Sequence, residues 1–211
     1  MSIKAWSNLG ACCLATLLLI GCGAQPVKKV VVVPKLAQKE VKLGPESPKA
    51  KEQYQLGIDA MKEENYEQAE AVFKQFSATF PKVAGPHVNM GIMRIRQAKF
   101  SEAEQVLKQA LKRNKRHAVA HNLLGVAYRE QGKFGDAKKA YQKAIAIAPK
   151  YDRPLLNLGI LNDLYLQDLA KALDYYKRYQ AMQDKPDKRV AGWIVDLSRR
   201  VGQDGKSSAG G

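Results

Sequence analysis

The chain has 211 residues and a strong excess of positive charge, with 35 lysines and arginines against 20 aspartates and glutamates. In a cytosolic protein a net charge of +15 would favour a nucleic-acid partner. The N-terminal segment indicates export, which excludes nucleic acid and leaves phospholipid headgroups, cell-wall polymers and acidic protein surfaces as anionic partners.

The first residues are typical of a secretory signal. Lys4 precedes an apolar run over 11–20, which is too short to span a membrane. The run ends in Leu19-Ile20-Gly21-Cys22, which resembles the lipobox of bacterial lipoproteins. That resemblance implies cleavage before Cys22, a signal peptide over 1–21 and a lipidated cysteine. An ordinary signal peptide with an incidental cysteine is the alternative.

The cysteine content agrees with lipidation. Cys12 and Cys13 would leave with the signal, so only Cys22 would remain to carry acyl chains such as palmitate. More than one chain gives stable anchoring, because each buried methylene contributes about 0.8 kcal/mol. Gly23 stands where the lipoprotein family uses aspartate for inner-membrane retention. We therefore expect an exported protein on the periplasmic face of the outer membrane.

A basic, proline-containing linker is predicted over 22–49. A flexible chain of this length reaches roughly 30 Å, and its lysines suit an anionic membrane surface. The run Val30-Val31-Val32-Val33 is either a β-prone tether or a strand that adds to a partner's sheet.

Four glycines then recur at a period of 34 residues, which is typical of a stacked helical repeat. Alanines follow twelve or thirteen residues later, and large apolar residues follow the alanines. We expect the glycine and alanine to mark one close contact between paired helices. These three sets are Gly57, Gly91, Gly125 and Gly159; Ala69, Ala103, Ala137 and Ala172; and Phe73, Leu107, Tyr141 and Tyr176.

The pattern resembles the tetratricopeptide repeat, most closely in Leu124-Gly125, Tyr128, Gly132, Ala137, Tyr141, Ala144 and Pro149. The resemblance implies an all-α solenoid over 50–185, with repeats at 50–83, 84–117, 118–151 and 152–185. The fourth repeat has one extra residue between Tyr165 and Leu169, so we expect a longer turn there.

A final helix is predicted over 186–202, followed by a disordered Gly/Ser-rich tail over 203–211. Its apolar residues recur at helical spacing and would cap the open end of the solenoid. A docking helix for a partner is the alternative. The apolar residues are Val190, Trp193, Ile194, Leu197 and Val201.

The family resemblance also implies a concave partner-binding groove formed by the first helix of each repeat. Its predicted lining is apolar toward the first repeats and more polar toward the last. An apolar strip that no core covers is typical of a partner site, and packing within the superhelix or against the linker is the alternative. The predicted groove residues are Tyr54, Ile58, Val88, Asn89, Ile92, Arg96, Asn122, Val126, Arg129 and Ile160.

We predict no catalytic residues, cofactor or metal. The sequence has no phosphate loop, nucleophile elbow or His-Glu-x-x-His run. His87 and His121 occupy positions that are usually used for packing, and His117 precedes a helix. The basic run 112–116 either complements a helix C-terminus or forms a docking patch.

The combination of lipobox, basic linker and short repeat array resembles the pilotin lipoproteins of type IV and Flp pilus assembly in Gram-negative bacteria. It implies a lipid-anchored periplasmic scaffold for protein partners in an envelope machine, such as pilus or secretin biogenesis. The alternatives are an adaptor for peptidoglycan hydrolases and proteases, or an accessory of a Tol/TonB-type complex. The oligomeric state stays open.

Overall fold

The computed structural model describes residues 48–207, with side chains described up to 202. This part of the chain contains nine α-helices and no strand, which confirms the predicted all-α repeat solenoid. The first helix of each repeat is here called an A helix and the second a B helix. The helices are α1 (Pro48–Lys62), α2 (Tyr66–Thr79), α3 (Gly85–Arg96), α4 (Phe100–Arg113), α5 (Ala118–Glu130), α6 (Phe134–Ile147), α7 (Arg153–Leu164), α8 (Leu169–Ala181) and α9 (Lys188–Ser207).

Short turns join each A helix to its B helix, so paired helices are antiparallel. The first three turns have three residues each and contain a left-handed residue at the same place, Glu64, Ala98 or Gly132, with φ of 60°, 56° and 74°. Glycine is the residue that adopts this conformation without strain. The fourth turn, 165–168, has four residues, with Gln167 left-handed. The extra residue predicted there lengthens the turn and leaves both helices intact.

In each repeat one large side chain of the B helix lies directly on the glycine of the A helix. A Cβ on Gly91 would lie 2.6 Å from Leu107 Cδ2, and one on Gly125 would lie 2.5 Å from Tyr141 Cε1. Phe73 covers Gly57 and Tyr176 covers Gly159 in the same way. In each repeat the atoms nearest to the glycine belong to this large residue, four positions after the periodic alanine. The alanine is also fully buried.

The A helices of the last three repeats, α3, α5 and α7, are buried on nearly every side. Arg96 and Leu164 are their only exposed residues. Each of these helices packs against its own B helix, the B helix before it and the neighbouring A helices. A helix that is apolar all round is one that the fold encloses.

Helix α9 closes the last repeat. Val190 and Leu197 are buried, and the Trp193 ring lies 5.2 Å from that of Tyr176. The apolar stripe is therefore used inside the chain, as predicted for a cap. The helix continues to Ser207, so the prediction of a disordered tail is wrong for residues 203–207. Arg189 lies over the outer side of the Trp193 ring at 5.3 Å.

The predicted repeat boundaries after residues 83, 117 and 151 fall between helices. The predicted signal peptide, Cys22, nearly all of the linker and the end of the tail lie outside the described residues. Among the helices that the structure does describe, none has the length and apolar character needed to cross a membrane.

The covered glycines lead to a stability prediction. Gly125→Ala should lower the free energy of unfolding by about 1–3 kcal/mol, because the added methyl group must displace the buried Tyr141 ring. Gly192→Ala is the matched control, since a Cβ there meets nothing within 4 Å and alanine favours the helix by about 0.5–1 kcal/mol. Urea unfolding measures both. Equal effects of the two substitutions would contradict the role given to the ring contact.

Candidate partner-binding surface

The structure places nine of the ten predicted groove residues in the interior. Ile92 and Val126 are fully buried, and the most accessible of the nine, Ile58, is only 9% exposed. Val88 and Ile160 are equally enclosed. As an open apolar strip for a partner, the prediction is wrong for these side chains.

The correction has a physical reason. Residues beside the glycines lie on helices that are enclosed by their neighbours. Ile58, Ile92 and Val126 belong to one continuous core cluster that runs through the first three repeats, and Ile160 belongs to a second cluster with α8 and α9. The alternative kept open from the sequence, packing within the superhelix, is what the structure contains.

The polar members of the predicted groove bind one another rather than facing solvent. Asn89 Nδ2 donates to the Tyr54 hydroxyl oxygen at 2.7 Å, in a buried hydrogen bond that joins α1 to α3. Burial raises the pKa of Tyr54, and the hydrogen bond from Asn89 partly offsets this. Tyr54 is therefore a neutral phenol that ties two repeats together.

A second polar network joins α5 to α7. Asn157 Nδ2 donates to Asn122 Oδ1 at 2.9 Å, and Asn122 Nδ2 donates to the Tyr151 hydroxyl at 3.1 Å. Arg129 forms an ion pair with Glu130 at 3.0 Å, and both side chains are buried. Arg129 Nη1 also lies 3.5 Å from Asn157 Oδ1. An enclosed charge needs such partners because removing it from water is costly.

Sequence reasoning missed Asn157, Glu130 and Tyr151 as members of this network. Asn157 stands 35 residues after Asn122, within the apolar stretch 154–161 of α7. That recurrence was a usable signal, since a polar residue inside an apolar helix usually has a hydrogen-bonding partner.

Arg96 is the one predicted groove residue that is exposed, and its side chain has no partner among the described residues. Apolar exposure is scattered over the described surface rather than collected in a strip. Leu164 ends α7 and Leu166 lies within the longer fourth turn, and the other exposed large apolar side chains lie on different elements. These are Leu56, Met182 and Val195.

The three histidines have separate environments. His117 Nδ1 accepts a hydrogen bond from Ala120 N at 3.2 Å and caps α5, while a ring nitrogen of His121 lies 3.0 Å from the Lys115 carbonyl oxygen. His87 Nδ1 is buried without a hydrogen bond. Within residues 48–202 no cluster of three metal-binding side chains occurs.

Comparison with known proteins agrees with this architecture. Residues 88–152 match the tetratricopeptide repeat family. The described chain thus has the fold of a tetratricopeptide-repeat solenoid, a fold that typically serves as a non-catalytic scaffold for protein–protein interaction. No curated protein matches the chain at a significant level, and no enzyme family is indicated.

Solved structures show the same fold. PilF of Pseudomonas aeruginosa is 22% identical, with a TM-score of 0.65 over 73% of this chain and 69% of that one. MamA of Desulfovibrio magneticus RS-1 is 23% identical, with a TM-score of 0.56 over 64% and 78%. A thermophilic tetratricopeptide-repeat protein of Thermus thermophilus is 19% identical, with a TM-score of 0.59 over 72% and 83%.

The buried ion pair can be tested by unfolding. Glu130→Gln should lower the free energy of unfolding by about 3 kcal/mol, because it leaves the Arg129 charge enclosed without its counter-charge. Adding Arg129→Met should restore most of the loss. Asp174→Asn, which breaks an exposed pair with Arg178, is the control and should cost less than about 1 kcal/mol. A double variant as unstable as Glu130→Gln alone would contradict this account.

His87 provides a pH prediction. Burial, together with the nearby Arg113 charge, lowers the pKa of His87 to about 4 from its ordinary value of 6.5. Folding therefore disfavours protonation of His87. The contribution of neutral His87 to the free energy of unfolding is complete above pH 6.5 and is lost as the pH drops toward 4. His87→Leu should reduce this loss when unfolding is measured by urea titration from about pH 7 to about pH 4.5. An identical pH slope in the variant would exclude His87 as its source.

Proposed function

We propose that this protein is a lipid-anchored periplasmic scaffold, without enzymatic activity, that binds protein partners during assembly of an envelope machine in pilus or secretin biogenesis. The observation that carries the proposal is the joint presence of a repeat solenoid and an N-terminal apolar run that ends in Leu19-Ile20-Gly21-Cys22. The solenoid supplies binding surface, and an acylated Cys22 would hold it at the outer membrane.

The specific machine is supported by likeness of fold. PilF shares the repeat architecture over about two-thirds of both chains, and pilotin lipoproteins combine such an array with a lipid anchor. At 22% identity this likeness supports the assignment through the fold alone.

The self-packed groove changes where a partner should bind. Contacts through Ile92 or Val126 would require the A helices to separate, so we assign partner contact to exposed residues. Arg96 is the favoured position for partner contact, because it is the last residue of α3 and carries an unpaired charge directly before the turn 97–99. Leu164 and Leu166 offer apolar contact at the turn of the fourth repeat.

A complementation experiment tests anchor and machine together. In a strain that lacks the gene, secretin multimers on a gel should decrease, and the wild-type gene should restore them. Cys22→Ser should abolish fatty-acid labelling and fail to restore the multimers, while the matched control Cys12→Ser should behave as wild type. A photoreactive residue in place of Arg96 identifies the bound partner.

The outcomes separate the alternatives. Unchanged secretin multimers in the deletion strain would exclude the pilus or secretin role. Crosslinks to peptidoglycan hydrolases would favour the cell-wall adaptor. Fatty-acid labelling that survives Cys22→Ser would exclude Cys22 as the anchor.

A further inference from the structure

The positive charge of the solenoid is concentrated at one edge. The alternating helix direction places the start of every A helix and the end of every B helix on the same edge, where one repeat is joined to the next. Residues 84–117 carry eight lysines and arginines against two glutamates, and half of these basic residues lie in the stretch 112–116.

The basic edge is defined by six exposed residues at these junctions. Lys82, Arg116 and Lys150 are 34 residues apart, so they occupy the same place in successive repeats and form one row. None of the six has an ion-pair partner within residues 48–202. The basic edge consists of Lys49, Lys82, Lys112, Lys115, Arg116 and Lys150.

Interaction with the C-terminus of α4 does not explain the positive charge of Lys112, Lys115 and Arg116. Arg113, which is not part of the basic edge, already serves the end of α4. Its Nη1 donates to the Gln109 carbonyl oxygen at 2.8 Å, and its Nε donates to the Pro81 carbonyl oxygen of the preceding repeat at 3.0 Å. The neighbouring side chains of Lys112, Lys115 and Arg116 extend into solvent.

Acidic residues delimit the edge. Asp152 lies 4.0 Å from Arg153 and accepts a hydrogen bond from Gln183 at 2.9 Å. Asp184 occupies the row position of the fourth repeat, and Asp187 contacts Arg189. The row position is therefore basic in the first three junctions only, although the exposed Lys185 and Lys188 also lie at the fourth junction.

The covalent chain leaves the solenoid at this same edge. Helix α1 begins at Pro48, beside the first junction, and Cys22 lies 26 residues earlier. A flexible segment of that length has an end-to-end distance of roughly 30 Å. A lipid anchor at Cys22 would therefore keep the basic edge within reach of the bilayer.

We propose that the basic edge lies on anionic phospholipid headgroups of the membrane that holds the anchor, which fixes the solenoid with its opposite edge away from the bilayer. This proposal rests on the lipid anchor of the proposed function. A protruding row of cations matches a flat surface of phosphate groups, and tethering raises their effective concentration at that surface. Each lysine or arginine at an anionic surface favours contact by about fivefold, and salt weakens the effect.

The test compares two probe sites on one helix. The acylated full-length protein is reconstituted in neutral phosphatidylcholine vesicles or in vesicles that also contain phosphatidylglycerol, with a quencher on the lipid headgroup. A fluorophore is attached at Ala146→Cys, near the basic edge, or at Gly135→Cys, near the opposite end of α6. Quenching is expected only for the first site and only in the anionic vesicles.

Charge variants identify the contact. Replacing Lys112, Lys115 and Arg116 by glutamine should lower the ratio of bound to free solenoid about 100-fold. The matched control replaces Lys139, Lys143 and Lys177, which are exposed on the outer faces of α6 and α8, and should leave the ratio unchanged.

Several results would overturn the proposal. Equal quenching at both sites, equal quenching in neutral vesicles, or loss of quenching in the control variant would each do so. Binding of a polyglutamate peptide without quenching would assign the edge to an acidic protein. A protein that floats with neutral vesicles but shows no quenching retains its anchor, so only the edge assignment fails. A protein that does not float lacks the anchor, and both proposals fail.

Discussion

The contact between a glycine of the A helix and a large side chain of the B helix sets the geometry of this solenoid. Without a Cβ at Gly57, Gly91, Gly125 or Gly159, the ring or leucine of the B helix can lie directly on the A-helix backbone. The close approach repeats in all four pairs, so each repeat has nearly the same thickness and the A helices come into contact with one another. The enclosure of α3, α5 and α7 follows from this contact.

Burial requires hydrogen-bonding partners for the asparagines and the arginine that lie inside the stack of A helices. Asn89, Asn122, Asn157 and Arg129 would each be costly to bury alone, and each has a partner. Their hydrogen bonds run between A helices of adjacent repeats, where apolar packing alone would tolerate a shift of one helix along the other. The polar contacts therefore contribute specificity of stacking more than they contribute stability.

Features that depend on the spacing of residues along the chain could be predicted from the sequence. Features that depend on how closely neighbouring repeats pack could not. The helical period, the longer turn at 165–168 and the capping stripe of α9 can each be read from neighbouring residues. The burial of Ile92 and Val126 cannot, because it depends on how closely α3 and α5 approach. The pairing of Asn122 with Asn157 depends on the same distance.

The self-packed strip also constrains how this scaffold can act. A partner that entered between the A helices would have to replace the contacts of Ile92, Val126 and Ile160 and the asparagine hydrogen bonds, since exposing apolar surface costs about 25 cal/mol per Å². A partner at the turns or edges meets no such cost, because those side chains are already in water. Arg96 and the basic edge offer exposed charges without ion-pair partners in such places. Contact at the turns or edges thus leaves the stacked A helices intact.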